Sequence, residues 1–450
     1  MKFFLSIVLT ASLCLYAGIP GARAAGPDEA YIKAYFTVVA AASCRGIYTP
    51  DDSGEFSFLR NNGWNIRPVN LKVDGVDINY SVASGYYRQI GKKLCIVAFR
   101  GSASREDWRI NIKTDKVNFG GHTLQQMQEI AAAPLIKGGP AVHKGFNRYA
   151  DAVLESAGRY DGGLRETLEE VKEGKAVMLL TGHSLGGAVA TLVGEKLAAL
   201  GLPADRFFVI TFGAPAVGNA AFASAYGGSI RLLRITNTAD PVPGSLQTFF
   251  GGYKQFGEHY KYHIPTKISN MQHAMAMYFD YSVDEFYREY DKAVAEGSAV
   301  RMPDSRITPG VPVVALWFRD SPNLKKYNYT LAAQRFMQDE YMRMFPSYVV
   351  MDRHLEDEAD VMRKSREAGA EYVLICGLDA RMTRKQKYIY LTMEQHLFSA
   401  GAQLLASSSW GSRVAPGLGN IQSVGDMLMQ GRKDLQQHLP FIITKHEPEF

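Results

Sequence analysis

One stretch limits the fold more than any other. Residues 176–181 are apolar and strand-like, and they run directly into Gly182-His183-Ser184-Leu185-Gly186-Gly187 and then into a helical pattern of small residues, 188–200. A Gly-x-Ser-x-Gly between a buried strand and a helix puts the serine on a sharp strand-to-helix turn. Glycine is needed at 182 and 186 because strand and helix backbones pass there too closely for a Cβ. The surrounding pattern supplies a sheet for such a turn. Strand-like runs at 65–87 (broken at Asp74-Gly75), 93–99, 206–212 and 230–236 alternate with helical runs at 30–43, within 144–171, and at 282–295. This alternation predicts an α/β fold with a mostly parallel sheet covered on both faces.

Composition adds limits. With 450 residues, 46% hydrophobic and 21% charged, the chain has room for two packed domains or one large one. The net charge is only +5, two of the basic residues (Lys2 and Arg23) lie in the leader, and no Lys/Arg-rich run is present, so nothing in the charge points to nucleic acid. Residues 1–24 combine Lys2, an apolar stretch from Phe3 to Ala17 and the sequence Ala22-Arg23-Ala24. That is the pattern of a removable secretory signal, so the mature chain is expected to be exported, to the periplasm or beyond. The apolar stretch is shorter than the roughly 20 residues that span a bilayer. The remaining cysteines are Cys44, Cys95 and Cys376, the last two inside apolar runs. An unstapled fold is expected, a Cys44–Cys95 bridge being the pairing left open, and no metal-ligand spacing is visible.

A cluster containing Gly297, Pro303, Pro309, Gly310 and Pro312 reads as a linker. It divides residues 25–298 from a second α/β pattern at 313–450, with strands at 313–318, 348–351 and 371–378, helices at 330–344, 356–368 and 424–438, and a late hairpin through Ser399-Ala400-Gly401.

The chemistry centres on Ser184 as candidate nucleophile. The N–H of Leu185 then points toward the reacting carbonyl from the positive end of the following helix. In this kind of fold the acid and then the histidine follow at the ends of later strands. Asp240 follows the strand-like run 231–237 and is fixed by Pro241 and Pro243, so it can orient an imidazole. Three histidines follow before the linker: His259, His263 and His273. The first two lie in a strand-like aromatic segment, where histidine is more often a hydrogen-bonder than a base. His273 stands at a loop-to-helix junction and is favoured, with His259 in reserve.

Several motifs then agree in order. Phe99-Arg-Gly-Ser102 with Trp108, Val142-His143-Lys-Gly-Phe146, the Gly182–Gly187 turn, Thr211-Phe-Gly-Ala-Pro215, Asn237-Thr-Ala-Asp240-Pro-Val-Pro243, Gly252-Tyr253, and His273 followed by Tyr278 together resemble the fungal-type, class 3 lipases of the α/β-hydrolase fold over about residues 30–295. The resemblance implies Ser184, Asp240 and His273 as a triad, Ser102 and Leu185 as the oxyanion hole, no cofactor, and a moving lid after Ser104. Two features depart from the family: a mixed lid sequence followed by an extra segment at 120–140, and Gln255 and His259 where the family often has His and Glu.

The implied activity is hydrolysis of acyl esters of lipids by an exported serine enzyme. A phospholipase A1 or a short-chain carboxylesterase is the rival within enzymes. An inactive hydrolase scaffold acting as an envelope binding module is the rival of another class. The C-terminal domain carries no catalytic pattern and is similar, at the level of fold only, to small α/β domains of envelope proteins such as the amino-terminal domain of TolB, which makes an envelope protein partner an expectation for it.

Overall fold

The computed structural model describes residues 30–48, 65–87, 92–101, 115–160, 163–247, 251–264, 272–326, 331–355, 357–382, 389–414 and 419–443. The expected signal sequence, Ser102 and the expected lid lie outside them.

Helix α1 (Ala30–Gly46) is followed by β1 (Asn65–Val73), β2 (Val76–Tyr87) and β3 (Lys92–Phe99). β4 (Lys116–Asn118), α2 (Leu124–Ala132), β5 (Ala141–His143), α3 (Lys144–Arg159) and α4 (Leu164–Lys172) come next. The core then runs β6 (Ala176–His183), α5 (Leu185–Ala199), β7 (Phe207–Phe212), α6 (Ala220–Tyr226), β8 (Leu232–Asn237), the single turn α7 (Val242–Ser245), β9 (Glu258–Tyr262) and α8 (Met275–Ala295). Seven strands form one sheet in the order β1-β2-β3-β6-β7-β8-β9. The first two joins are antiparallel, and those from β3 to β9 are parallel. This is the α/β architecture expected from the strand–helix alternation.

The centre of this sheet is buried on both faces. Leu94 to Phe99 of β3 and Met178 to His183 of β6 are buried without interruption, which is why these strands read as continuous apolar runs. Helix α5 is also buried all round from Gly186 to Leu197. Its packing includes two ionisable residues: Lys196 pairs with Asp151 at 2.8 Å, while Glu195 has no ion-pair partner among the described residues and only the Ser229 side chain near its carboxyl. Burial pushes the Glu195 carboxyl up to about 8. Cys44, Cys95 and Cys376 are free, buried thiols.

Three elements differ from the sequence expectation. The pattern at 144–171 contains two helices, α3 and α4, separated by Gly163, whose φ is +78°. Helix α8 begins at Met275 rather than 282. Residues 275–280 are all buried, so its first turns show no polar face to signal a helix. The segment 120–140 holds α2, capped by Thr123 and fixed through buried Met127. Phe119 packs on Phe222 and Tyr226, each 4.9 Å away, and the Asn118 side chain bonds Ile130, Ala133, Pro134 and Ile136 of the same segment. Its described residues form a packed surface layer.

A second sheet follows. Its elements are β10 (Ser305–Arg306), β11 (Val314–Arg319), α9 (Leu331–Met344), β12 (Tyr348–Val350), α10 (Glu358–Glu367), β13 (Tyr372–Met382), β14 (Ile389–Ser399), β15 (Leu404–Arg413) and α11 (Asn420–Gln436), with strand order β10-β12-β11-β13-β14-β15. β12, β11 and β13 are parallel, and β13, β14 and β15 form an antiparallel meander. The hairpin expected at 399–401 is present with longer strands. The stretch read as a linker supplies β10, paired with β12. The described residues fall into two compact units, one from 36–265 with 272–278 and the other from 279–449 with the start of α1. Within the second, Asp280 accepts hydrogen bonds from Asn420 N (2.7 Å), Asn420 Nδ2 (3.1 Å) and Ile421 N (3.1 Å), and so caps α11.

Candidate active site

The turn at Ser184 is as tight as its glycines require. A Cβ on Gly182 would collide with the Gly186 backbone, and one on Gly186 with the carbonyl of Phe99. Ser184 has φ +58° and ψ −127°, a strained conformation for a residue with a side chain, held by its N–H bond to Phe212 O at 2.9 Å. Leu185 and Gly186 open α5, where helix N–H groups have no partner inside the helix.

Asp240 follows the carboxyl end of β8. Its side chain is fully buried, and three donors converge on it: Val242 N on Oδ1 at 2.9 Å, and His273 Nδ1 (2.7 Å) and Tyr278 Oη (2.6 Å) on Oδ2. Tyr278 Oη accepts in turn from Asn237 N at 3.0 Å, and the Asn237 side chain donates to Gln272 O, next to His273, at 3.0 Å. Burial and the nearby Asp240 hold the Tyr278 phenol well above its ordinary range, so it remains a donor. Gly213, φ +57°, leaves room for this cluster, since a Cβ there would lie 2.8 Å from Asp240 Oδ2 and 3.1 Å from His273 Cε1.

With Nδ1 given to Asp240, His273 has only Nε2 left to exchange a proton. Its side chain is 12% exposed, enough to be reached from outside. Ser184 Oγ makes no hydrogen bond to His273 in the structure.

His259 stands elsewhere, on β9, where its Nε2 meets Thr236 Oγ1 at 2.8 Å. Burial, with Arg234 and Lys261 nearby, lowers its basicity. His263 follows the same strand. Gln255 Nε2 donates to Ala214 O and Pro243 O, so this departure from the family pattern ties two loops together. His143 caps α3 by accepting from Gly145 and Phe146 N–H and stacks on Phe146 at 4.0 Å.

The family model for Lipase (class 3) matches residues 96–249. Over that span the chain is similar to the class 3 lipases. The secreted mono- and diacylglycerol lipase 1 of Fusarium solani is 31% identical over 163 residues, 36% of this chain and 41% of that protein. A chloroplastic phospholipase A(1) of Arabidopsis thaliana is 28% identical over 163 residues, 35% of each chain. A solved structure of the Rhizomucor miehei triacylglyceride lipase is 25% identical, with a TM-score of 0.38 over 54% of this chain and 83% of that one. The chain spans about two fifths of the length of the curated relatives it matches.

The site also contains a pair that the sequence did not single out. His183, beside the serine, places Nε2 2.9 Å from the main-chain oxygen of His273 and Nδ1 3.0 Å from Tyr48 Oη. The two histidine rings lie 4.5 Å apart. Complete burial, and then the neighbouring His273, push His183 well below its ordinary range, so it is neutral. His183 was visible as the variable position of the motif, but no local signal says which group it faces. Tyr48 lies 135 residues away and carried no signal. Among the described residues no group of three or more His, Cys, Asp or Glu is arranged to hold a metal ion.

Proposed function

We propose that the chain is an exported serine ester hydrolase acting on acyl esters of lipids through an acyl-enzyme. The observation that carries this reading is the His273 Nδ1–Asp240 Oδ2 hydrogen bond of 2.7 Å at the end of the sheet from which Ser184 projects. Asp240, already saturated with donors, fixes the tautomer in which His273 Nε2 is bare. In the first step His273 Nε2 takes the Ser184 proton as Oγ bonds to the ester carbonyl carbon. The oxygen of the tetrahedral intermediate is met by the Leu185 N–H at the head of α5. Collapse breaks the ester C–O bond, and the imidazolium returns its proton to the departing alcohol. Water then attacks the acyl-enzyme by the same route in reverse. Ser102 is the proposed second oxyanion donor, on the family pattern alone.

Lipid esters are favoured as substrates because the named relatives include a mono- and diacylglycerol lipase and a phospholipase A(1). Export rests on the leader at 1–24. The experiment compares full-chain wild type with Ser184→Ala on a soluble short-chain nitrophenyl ester, an emulsified long-chain triglyceride and phospholipid vesicles. Loss of about 10⁴-fold or more in the variant is expected on every substrate that the wild type turns over. Equal rates for both proteins on all three would refute serine hydrolysis and favour the binding-module reading. The ratios among substrates distinguish lipase, phospholipase and esterase.

A further inference from the structure

We propose that Tyr48 and His183 form a positioning pair that sets where the base His273 stands relative to Ser184. The inference rests on the triad reading above and adds to it two residues that touch no reacting atom.

The direction of each hydrogen bond follows from the groups present. The main-chain oxygen of His273 can only accept, so His183 Nε2, 2.9 Å away, carries a proton. A buried neutral imidazole then has a bare Nδ1, and Tyr48 Oη, 3.0 Å away, donates to it. Burial holds the Tyr48 phenol above its ordinary range, which keeps that donor protonated, and the Gly101 backbone hydrogen-bonds the same oxygen. Gly101 fits closely here, because a Cβ on it would run into the Tyr48 hydroxyl and the His183 carbonyl and lie 3.3 Å from Ser184 Cβ.

One hydroxyl and one imidazole thus join four chain segments: the residues after α1, the exit of β3 leading to Ser102, the exit of β6 at Ser184, and the segment that carries the base. Asp240 and Tyr278 fix the His273 ring from its Nδ1 side. His183 fixes the backbone of the same residue. The two restraints are independent, and together they leave the ring little freedom to swing away from Ser184. Misplacement of a catalytic group by about 1 Å can cost roughly 10²-fold in rate.

The test uses the full chain as wild type, Ser184→Ala, His183→Leu, His183→Gln and Tyr48→Phe. A soluble short-chain nitrophenyl ester is the substrate, and amide hydrogen exchange of the peptide spanning 272–278 is a second readout. His183→Leu removes the donor and is expected to lower kcat about 10- to 100-fold with KM changed less than about twofold. His183→Gln, whose amide can reach the same carbonyl, is expected to recover most of kcat. Tyr48→Phe falls between them. Exchange at 272–278 rises at least about tenfold in His183→Leu and stays near wild type in His183→Gln.

Equal kcat in the Leu and Gln variants, or unchanged exchange in both, would overturn the pair. Should His183→Leu not fold, Tyr48→Phe with wild-type kcat and exchange would overturn it equally. A wild type no faster than Ser184→Ala would instead remove the triad reading, and the exchange measurement would still decide whether His183 holds the base segment.

Discussion

The two sheets use similar elements and end their parallel strands differently. In the seven-stranded sheet, the exits of β6 and β8 present Ser184 at φ +58° and an Asp240 whose acceptors are taken by a histidine, a tyrosine and a main-chain N–H. In the six-stranded sheet, the loop after β11 meets β13 through Ser321 and Asn323, both bonded to Asp379 Oδ1. That second cluster continues through Asn323 Oδ1 to Lys326 Nζ, 3.0 Å away, and contains no imidazole. Both arrangements satisfy a carboxylate. Only the first connects it directly to an imidazole, beside a backbone held in strain. Three non-glycine residues among those described have positive φ: Asp74, Ser184 and Ala402. Asp74 and Ala402 sit in turns joining antiparallel strands, where such geometry is ordinary, whereas Ser184 opens a buried helix. Strain at that position comes with the sharp strand-to-helix turn that carries the serine.

The largest expected effect comes from the tight turn. Gly186→Ala forces a Cβ into the Phe99 carbonyl and is expected to cost about 3 kcal/mol or more, seen as a large loss of Tm or of soluble protein. A variant as stable as wild type would mean that the close approach at Ser184 is not the constraint that sets this sheet apart.

Next is the charge buried behind the turn. Glu195 is pushed up to about 8, from an unfolded value near 4.5, so the folded chain holds the extra proton between those values. Its contribution to stability is therefore fully present below about pH 4.5 and is lost as pH rises through about 8. Glu195→Gln should remove this decline, with a gain of about 2 kcal/mol or more at pH 9 and much less at pH 5, measured by denaturant unfolding at both values. Parallel pH curves for the two proteins would show that Glu195 is paired in solution.

The smallest effects sharpen the contrast between the two carboxylates. Tyr278→Phe removes one donor from Asp240 and should lower kcat about tenfold. Asp379→Ala removes the corresponding acceptor in the other sheet and should cost about 1–2 kcal/mol in stability with kcat on a soluble ester unchanged. Loss of hydrolysis in Asp379→Ala would break the comparison.

Local pattern determined a good deal. β3, β6 and the helix after Ser184 follow from continuous apolar runs, because burial on both faces leaves a signature readable over a few positions, and the two strands flanking Asp74-Gly75 follow from the turn residues between them. Asp240 was legible for the same reason, as an acid fixed by prolines after a buried strand. Helix α2 and the first turns of α8 were not, the former because it buries little besides Met127 and the latter because it buries everything.

What the tertiary structure alone decided is which side chains meet. His259 and His273 both follow Asp240 in sequence, but β9 carries the first to Thr236 while the approach to α8 brings the second to Asp240. Tyr48 reaches His183, and His183 reaches the backbone of His273, over separations of 135 and 90 residues. The physical reason is one of range. Hydrophobic period and turn chemistry act between neighbours along the chain and fix each element on its own. A hydrogen bond between distant segments leaves no periodic trace, and its partners are set by how strands are ordered and how loops leave them.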